Sequence, residues 1–293
     1  MTRILSEFAE ISTDYDLALV DLWGCLHNGR EVHAAAEQAL MTFRAGSGRV
    51  ILLTNAPRTW RTVQARLDQM GLSHEAYDAI VTSGDATQQA LFTGAVGRNV
   101  WHLGPQKDDD LFTDQPDWAA EHPPITRVGF DVAEGIVCTG LLDDQTEKPD
   151  AYRGKLLSAK TRGLKMLCAN PDLVVDYGDT RLYCAGALAQ LYEEMGGEAL
   201  YFGKPHPPIY DLALRVAAGK GLRFSTERII AIGDGIATDI RGGQGEGFDT
   251  IFITGGLAAG EFGDDPARPD PARLREWCAR ADVTPSFAMG QLR

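Results

Sequence analysis

Several features that would tie this chain to nucleic acid, lipid or an oxidising compartment are missing. Its 293 residues contain no run of lysine or arginine and carry a formal net charge of -13. A surface of that sign argues against nucleic acid and against an anionic membrane as partner, but not against a small anion held by a few local donors. No stretch approaches the roughly 18 apolar residues of a membrane span. The opening segment MTRILSEFAEISTDYD has acidic residues early and no uninterrupted apolar core, unlike a secretory signal. Five cysteines (Cys25, Cys138, Cys168, Cys184, Cys278) are scattered, odd in number and never spaced Cys-x-x-Cys. That pattern reads as a reduced, cytoplasmic protein. The six histidines form no His-x-x-x-His pair, and Cys25 with His27 makes a poor zinc site. There is no Gly-Lys-Ser/Thr P-loop. Gly233-Asp234-Gly235 fails as a dinucleotide loop because Thr238 stands where its third glycine belongs.

What is present is a series of short apolar runs that end in polar residues. Leu17 to Val20 runs into Asp21 and the turn glycine Gly24. Such a run, bounded by turn formers, predicts a strand buried on both faces inside a parallel sheet. Arg49 to Asn55 and Ala79 to Gly84 repeat the pattern. Between them, Ala36, Ala39, Leu40 and Phe43 (stopping at Gly46), then Trp60, Val63, Leu67 and Met70 (closed by Gly71), predict amphipathic helices. Strand and helix alternating at this spacing means right-handed crossovers.

Past Gly84 the texture changes to strands separated by acidic, proline-bearing loops, including Asp108 to Pro124 and the segment with Asp143, Asp144 and Glu147. Residues 84–197 therefore read as an inserted second α/β unit, and residues 1–83 with 198–293 as the core. The first pattern resumes at Ala199 to Pro205, followed by a helix begun by Pro207 and Pro208. Arg228 to Gly235 and Thr250 to Gly256 predict two more strands, and Asp270-Pro271 caps a closing helix.

Ligands of open parallel sheets lie beyond the carboxyl ends of the strands. There this chain offers Asp21, Thr54 with Asn55, Lys204, and Asp234 with Asp239. Two or three carboxylates make a hard-oxygen site suited to Mg²⁺, while a lysine and a hydroxyl/amide pair supply donors for phosphoryl oxygens. A carboxylate kept ionised beside the cation can attack phosphorus and form an aspartyl-phosphate. Taken singly, each of these residues could simply end a strand or cap a helix.

In this order the residues resemble the haloacid dehalogenase superfamily, class IIA, whose α/β cap is inserted between the second and third motifs. Asp21 matches the first motif, Thr54-Asn55 in Leu-Leu-Thr-Asn-Ala the second, Lys204 in Gly-Lys-Pro-His-Pro the third, and Gly-Asp234-Gly-x-x-x-Asp239 the fourth. Thr82 to Ala86 and Ala169 to Asp172 also look like segments of this branch. The resemblance implies a doubly wound, Rossmann-like α/β core with an inserted α/β cap of the C2 type. It implies Asp21 as nucleophile, Lys204 as its catalytic partner, and Mg²⁺ held by Asp21, the Trp23 carbonyl and Asp234, with Asp239 in support. Phosphate would be held by Thr54, Asn55, Lys204 and backbone around Trp23 and Gly24. A small phosphorylated metabolite is the implied substrate, and a cap-mediated homodimer the implied assembly.

One departure stands out. The usual first motif is Asp-x-Asp, whose second aspartate protonates the leaving oxygen and then activates water; here that position is Trp23. An indole N–H is too weak an acid for this, and general acid–base help is typically worth about 10²–10⁴-fold. Three readings follow: a phosphatase with a good leaving group or a recruited acid (His27, Asp143 or Asp144), a C–P or C–halogen hydrolase, or a catalytically inactive protein that binds a phosphorylated metabolite.

Overall fold

A computed structural model describes residues 2–177 and 180–293. The strands, in chain order, are β1 (Arg3–Ile4), β2 (Leu17–Val20), β3 (Arg49–Thr54), β4 (Ala79–Thr82), β5 (Asn99–Leu103), β6 (Thr126–Arg127), β7 (Gly135–Cys138), β8 (Lys165–Cys168), β9 (Val174–Tyr177), β10 (Thr180–Tyr183), β11 (Glu198–Tyr201), β12 (Ile229–Gly233), β13 (Asp249–Ile253) and β14 (Phe287–Met289). Among the described residues they make a seven-stranded sheet ordered β1-β14-β13-β12-β2-β3-β4, a five-stranded sheet ordered β11-β8-β7-β5-β6, and the β9-β10 hairpin. Neighbours in both large sheets are parallel. Helices supply the crossovers, as a parallel sheet requires. None of the described helices is long and apolar enough to cross a membrane.

Strand β2 sits inside the first sheet, between β12 and β3, and all four of its residues are buried. Side chains alternate across a strand, so Ala18 and Val20 face a core shared with Leu40, Phe43 and Leu67. Leu17 and Leu19 face the opposite core, with Ile209, Ala213 and Ala217 of the helix Pro207–Gly219. Each leucine, isoleucine or valine among these that is removed from water contributes about 1.5–3 kcal/mol. The ladder continues one residue further, where the Asp21 N–H donates to the Ile232 carbonyl at 2.8 Å. The Asp21 side chain thus leaves a backbone already held on both sides.

Two details depart from the sequence reading. Strand β11, which the pattern assigned to the core resuming at residue 198, pairs with β8 and belongs to the second sheet. Its Leu200 packs with Val137 and Leu167, a contact that apolar periodicity alone does not assign to either sheet. The boundary at 83/84 falls inside the first turn of the helix Ser83–Thr93. There the Thr82 hydroxyl accepts from the Asp85 N–H, and the Asp85 carboxylate accepts from the Thr82 N–H, so the helix starts directly at the strand end. Ala86 of this helix packs in the first unit and Leu91 in the second. The edge strand β1 and its neighbour β14 were not anticipated, being two and three residues long.

Candidate active site

The carboxyl ends of β2, β3 and β12 bring Asp21, Thr54 and Asp234 to one edge of the first sheet, and the loop after β11 carries Lys204 in from the other unit. Lys204 Nζ lies 2.5 Å from Asp21 Oδ1, 2.6 Å from Asp239 Oδ1 and 2.9 Å from the Leu53 carbonyl oxygen. Its ammonium is buried with all three donors engaged. Asp239 turns back on itself: its Oδ2 accepts from the Gly235 N–H at 3.1 Å while Oδ1 faces the lysine. Asp234 Oδ2 accepts from the Leu257 N–H at 2.7 Å. Thr54 Oγ1 accepts from the Ala56 N–H at 3.2 Å.

Three carboxylates face one ammonium here. Burial, reinforced by the charge of Asp239, pushes the Asp21 carboxyl well above its ordinary range. The same two causes, in the same order, push Asp234 up to about 7. Burial works against a charged Lys204, but Asp21 and Asp239 outweigh it and hold the ammonium. The cluster is short of positive charge. Carboxylate oxygens of Asp21, Asp234 and Asp239 lie within 4.8 Å of one another. Gly24 and Gly256 let backbone close around Asp234, since a Cβ on either would fall 1.9 Å or 2.1 Å from its Oδ2. Buried oxygen donors with excess negative charge fit a hard divalent cation.

The remaining sequence-predicted residues lie in the same place but in different roles. The side-chain amide of Asn55 is engaged: its Oδ1 accepts from the Lys204 N–H at 2.7 Å, and its Nδ2 donates to the Lys204 carbonyl at 3.0 Å and to Asp172 Oδ1 at 2.9 Å. Asn55 therefore braces the lysine. The Gly24 N–H donates to the His27 carbonyl, so in this conformation that donor is engaged within the turn. Trp23 is half-buried, with its ring against His27 and Tyr177.

Of the three acids considered as substitutes, none is poised. His27 Nδ1 accepts from the Gly29 N–H at 3.0 Å, and burial, with the neighbouring His33 and Arg66, pushes the ring down to about 4. Asp144 pairs with Lys107 at 2.6 Å and, despite partial burial, is held below its usual range. Asp143 is an exposed turn residue held low by Thr146. The sequence reading did not single out Asp172, which faces the same cavity. That cavity, about 910 Å³, lies between the two sheets, with Asp21, Thr54 and Lys204 on one side and Lys107, Asp172 and Tyr177 on the other.

Comparison with known proteins gives the family. A family model described as haloacid dehalogenase-like hydrolase matches residues 18–115, and a second, HAD-hydrolase-like model matches residues 201–274. The crystal structure of a haloacid dehalogenase-like hydrolase from Brucella suis 1330 is 36% identical, with a TM-score of 0.85, covering 99% of this chain and 100% of that one. The chain belongs to the haloacid dehalogenase-like hydrolase family. Its parallel α/β sheets are the Rossmann-like fold of that family. The acid sugar phosphatase of Staphylococcus haemolyticus is 25% identical over 254 residues, 85% of this chain and 88% of that protein. A glycerol phosphate phosphatase from Mycobacterium tuberculosis, crystallised with magnesium, is 25% identical with a TM-score of 0.64, covering 90% and 74%.

Proposed function

We propose that this haloacid dehalogenase-like hydrolase is a phosphatase that dephosphorylates a small metabolite through an aspartyl-phosphate on Asp21, with Mg²⁺ as its cation. The observation that carries the reading is the buried Lys204 ammonium shared between Asp21 and Asp239 beside Asp234, at the floor of the cavity. A nucleophilic carboxylate, a fixed cation for phosphoryl oxygens and a hard-oxygen metal cluster are together what phosphoryl transfer asks of a protein. The relatives named for sugar phosphate and glycerol phosphate support a small phosphorylated substrate.

Asp21, Asp234 and the Trp23 carbonyl would hold Mg²⁺, with Asp239 in support. When bound, the ion neutralises phosphoryl charge and favours the ionised form of Asp21. An Asp21 carboxylate oxygen attacks phosphorus, and the leaving oxygen departs on the opposite side, toward the cavity. Lys204 and the Thr54 hydroxyl hold non-bridging oxygens as charge builds, and Asn55 fixes the position of Lys204. Water then attacks the acyl phosphate and regenerates Asp21. The second unit, which extends through β11, acts as a cap, its side chains lining the cavity that receives the leaving group.

A second reading, a metabolite-binding protein without turnover, is favoured by Trp23, which removes the family's usual acid. Phosphate release from acetyl phosphate with Mg²⁺ separates the two. Turnover is expected, and Asp21→Asn should lower it at least about 10³-fold, as loss of a nucleophile does elsewhere. If wild type releases no phosphate while an aryl phosphate with Mg²⁺ raises the melting temperature, the binding reading replaces the enzyme.

A further inference from the structure

A phosphatase without the second aspartate still has to protonate a poor leaving group. Among the acids facing the cavity, Asp172 differs from His27, Asp143 and Asp144 in how it is held. It follows Asn170-Pro171 in the loop that leads from β8 into β9, and this loop is clamped from several sides. The Asn170 carboxamide oxygen accepts from the Asp172 N–H at 3.0 Å, and the Cys168 thiol donates to the Asn170 carbonyl at 3.3 Å. Pro171 packs so tightly that a Cβ on Gly186 would lie 2.2 Å from its carbonyl oxygen and one on Gly203 2.7 Å from its Cδ. Asp172 Oδ1 accepts from Asn55 Nδ2, the same amide that braces Lys204. Its other oxygen makes no hydrogen bond among the described residues, and the side chain lines the cavity.

We propose that Asp172, entering from the cap side, is the catalytic acid and base whose usual position is taken by Trp23. This rests on the phosphatase reading. The carboxyl is fixed through Asn55 to the lysine that holds the nucleophile, so its distance from the reacting phosphorus is set by a rigid chain of contacts. It also stands on the cavity side, where the leaving oxygen departs. In the first step Asp21 forms an O–P bond, the bond from phosphorus to the leaving oxygen breaks with its electron pair on that oxygen, and the Asp172 carboxyl delivers the proton. In the second, the Asp172 carboxylate takes a proton from water as its oxygen bonds phosphorus. The Asp21–phosphorus bond breaks, and inorganic phosphate and the free carboxylate result. The proton affinity of this carboxyl matches both steps, since burial raises Asp172 to about 6 against the opposing pull of Lys204 and the Asn55 hydrogen bond. A bound phosphoryl dianion raises it further.

The test uses the full chain with Mg²⁺, comparing acetyl phosphate, whose leaving group needs no proton, with glycerol phosphate, whose alkoxide does. Asp172→Asn keeps the acceptor for Asn55 and removes the acid. In a single turnover, release of glycerol should fall about 10²–10³-fold while release of acetate changes only a few-fold, and the phosphate release that follows, where Asp172 acts as base, should slow with both substrates. Equal loss of glycerol and acetate release would make Asp172 a positioning residue, and no loss of glycerol release would leave it without a role as acid; either overturns the proposal and spares the phosphatase reading. Wild type that cleaves acetyl phosphate but not glycerol phosphate does the same. Absence of turnover on both sinks the phosphatase reading itself. A series of aryl phosphates on wild type needs no variant to fold: a shallow dependence of rate on leaving-group pKa is expected, and a steep one denies any acid.

Discussion

Gly24 carries two constraints that no other residue type meets together. Its φ of 72° lies in the left-handed region, and a Cβ there would fall on Asp234 Oδ2. Gly24→Ala must therefore either bend the turn after the nucleophile or move a carboxylate out of the cation site. Loss of about 1–3 kcal/mol of stability is expected from the backbone conformation. Mg²⁺ affinity, read by calorimetry, should fall by at least about tenfold, since displaced ligand geometry costs that much or more. A variant that binds Mg²⁺ as wild type does would show that neither the turn at Trp23 nor Asp234 is displaced from a cation site there. At the same scale, Asp21, Lys204, Asp234 and Asp239 were legible because each ends or follows an apolar run. Asp172 was visible only as part of a family-like segment, because its environment is made by Asn55, Gly186 and Gly203, which are distant in sequence and meet only in the fold.

Elements were legible where apolar period and terminal punctuation agreed. The helix Pro271–Ala281 begins where Asp270 Oδ1 accepts from the Ala272 and Arg273 N–H groups. The strands β2 and β12 are unbroken apolar runs, and β3 is one from Val50 to Leu53. Legibility failed at β1 and β14, too short for a pattern, and at β11, whose sheet is decided by tertiary pairing. It failed also at the start of the helix Ser83–Thr93, where Thr-Ser-Gly-Asp reads as a loop but forms a reciprocal cap. That cap holds a helix whose side chains enter both cores. Thr82 Oγ1 also lies 2.6 Å from the Arg58 carbonyl, a further bond from the same side chain. Thr82→Ala should cost about 1–2 kcal/mol in urea unfolding, the range of a lost N-cap. A cost near zero would mean that packing alone sets the start of this helix.

At the scale of the molecule, the parallel order of the first sheet followed from the alternation of strand and helix, whereas the path of the chain between the sheets did not. The second unit has its own core and carries a largely buried histidine, His102 on β5. Its Nε2 lies 2.9 Å from Thr139 Oγ1 and its Nδ1 3.6 Å from Asp109 Oδ1. Burial pushes the ring down to about 4, with Arg127 adding to the effect and Asp109 opposing it. Between the ordinary histidine value and that lowered one, the unfolded chain binds a proton at this ring that the folded chain does not. Stability therefore falls as pH drops through that window, by at most about 1.4 kcal/mol per pH unit from this group. His27 titrates in the same direction, so wild type alone cannot apportion the effect. His102→Gln removes one proton site and leaves the other. Urea unfolding of both proteins near pH 7 and about two units lower should show the variant losing less on acidification, by about 1–2 kcal/mol. An equal loss in both would mean that the folded protein protonates His102 as readily as the unfolded chain does.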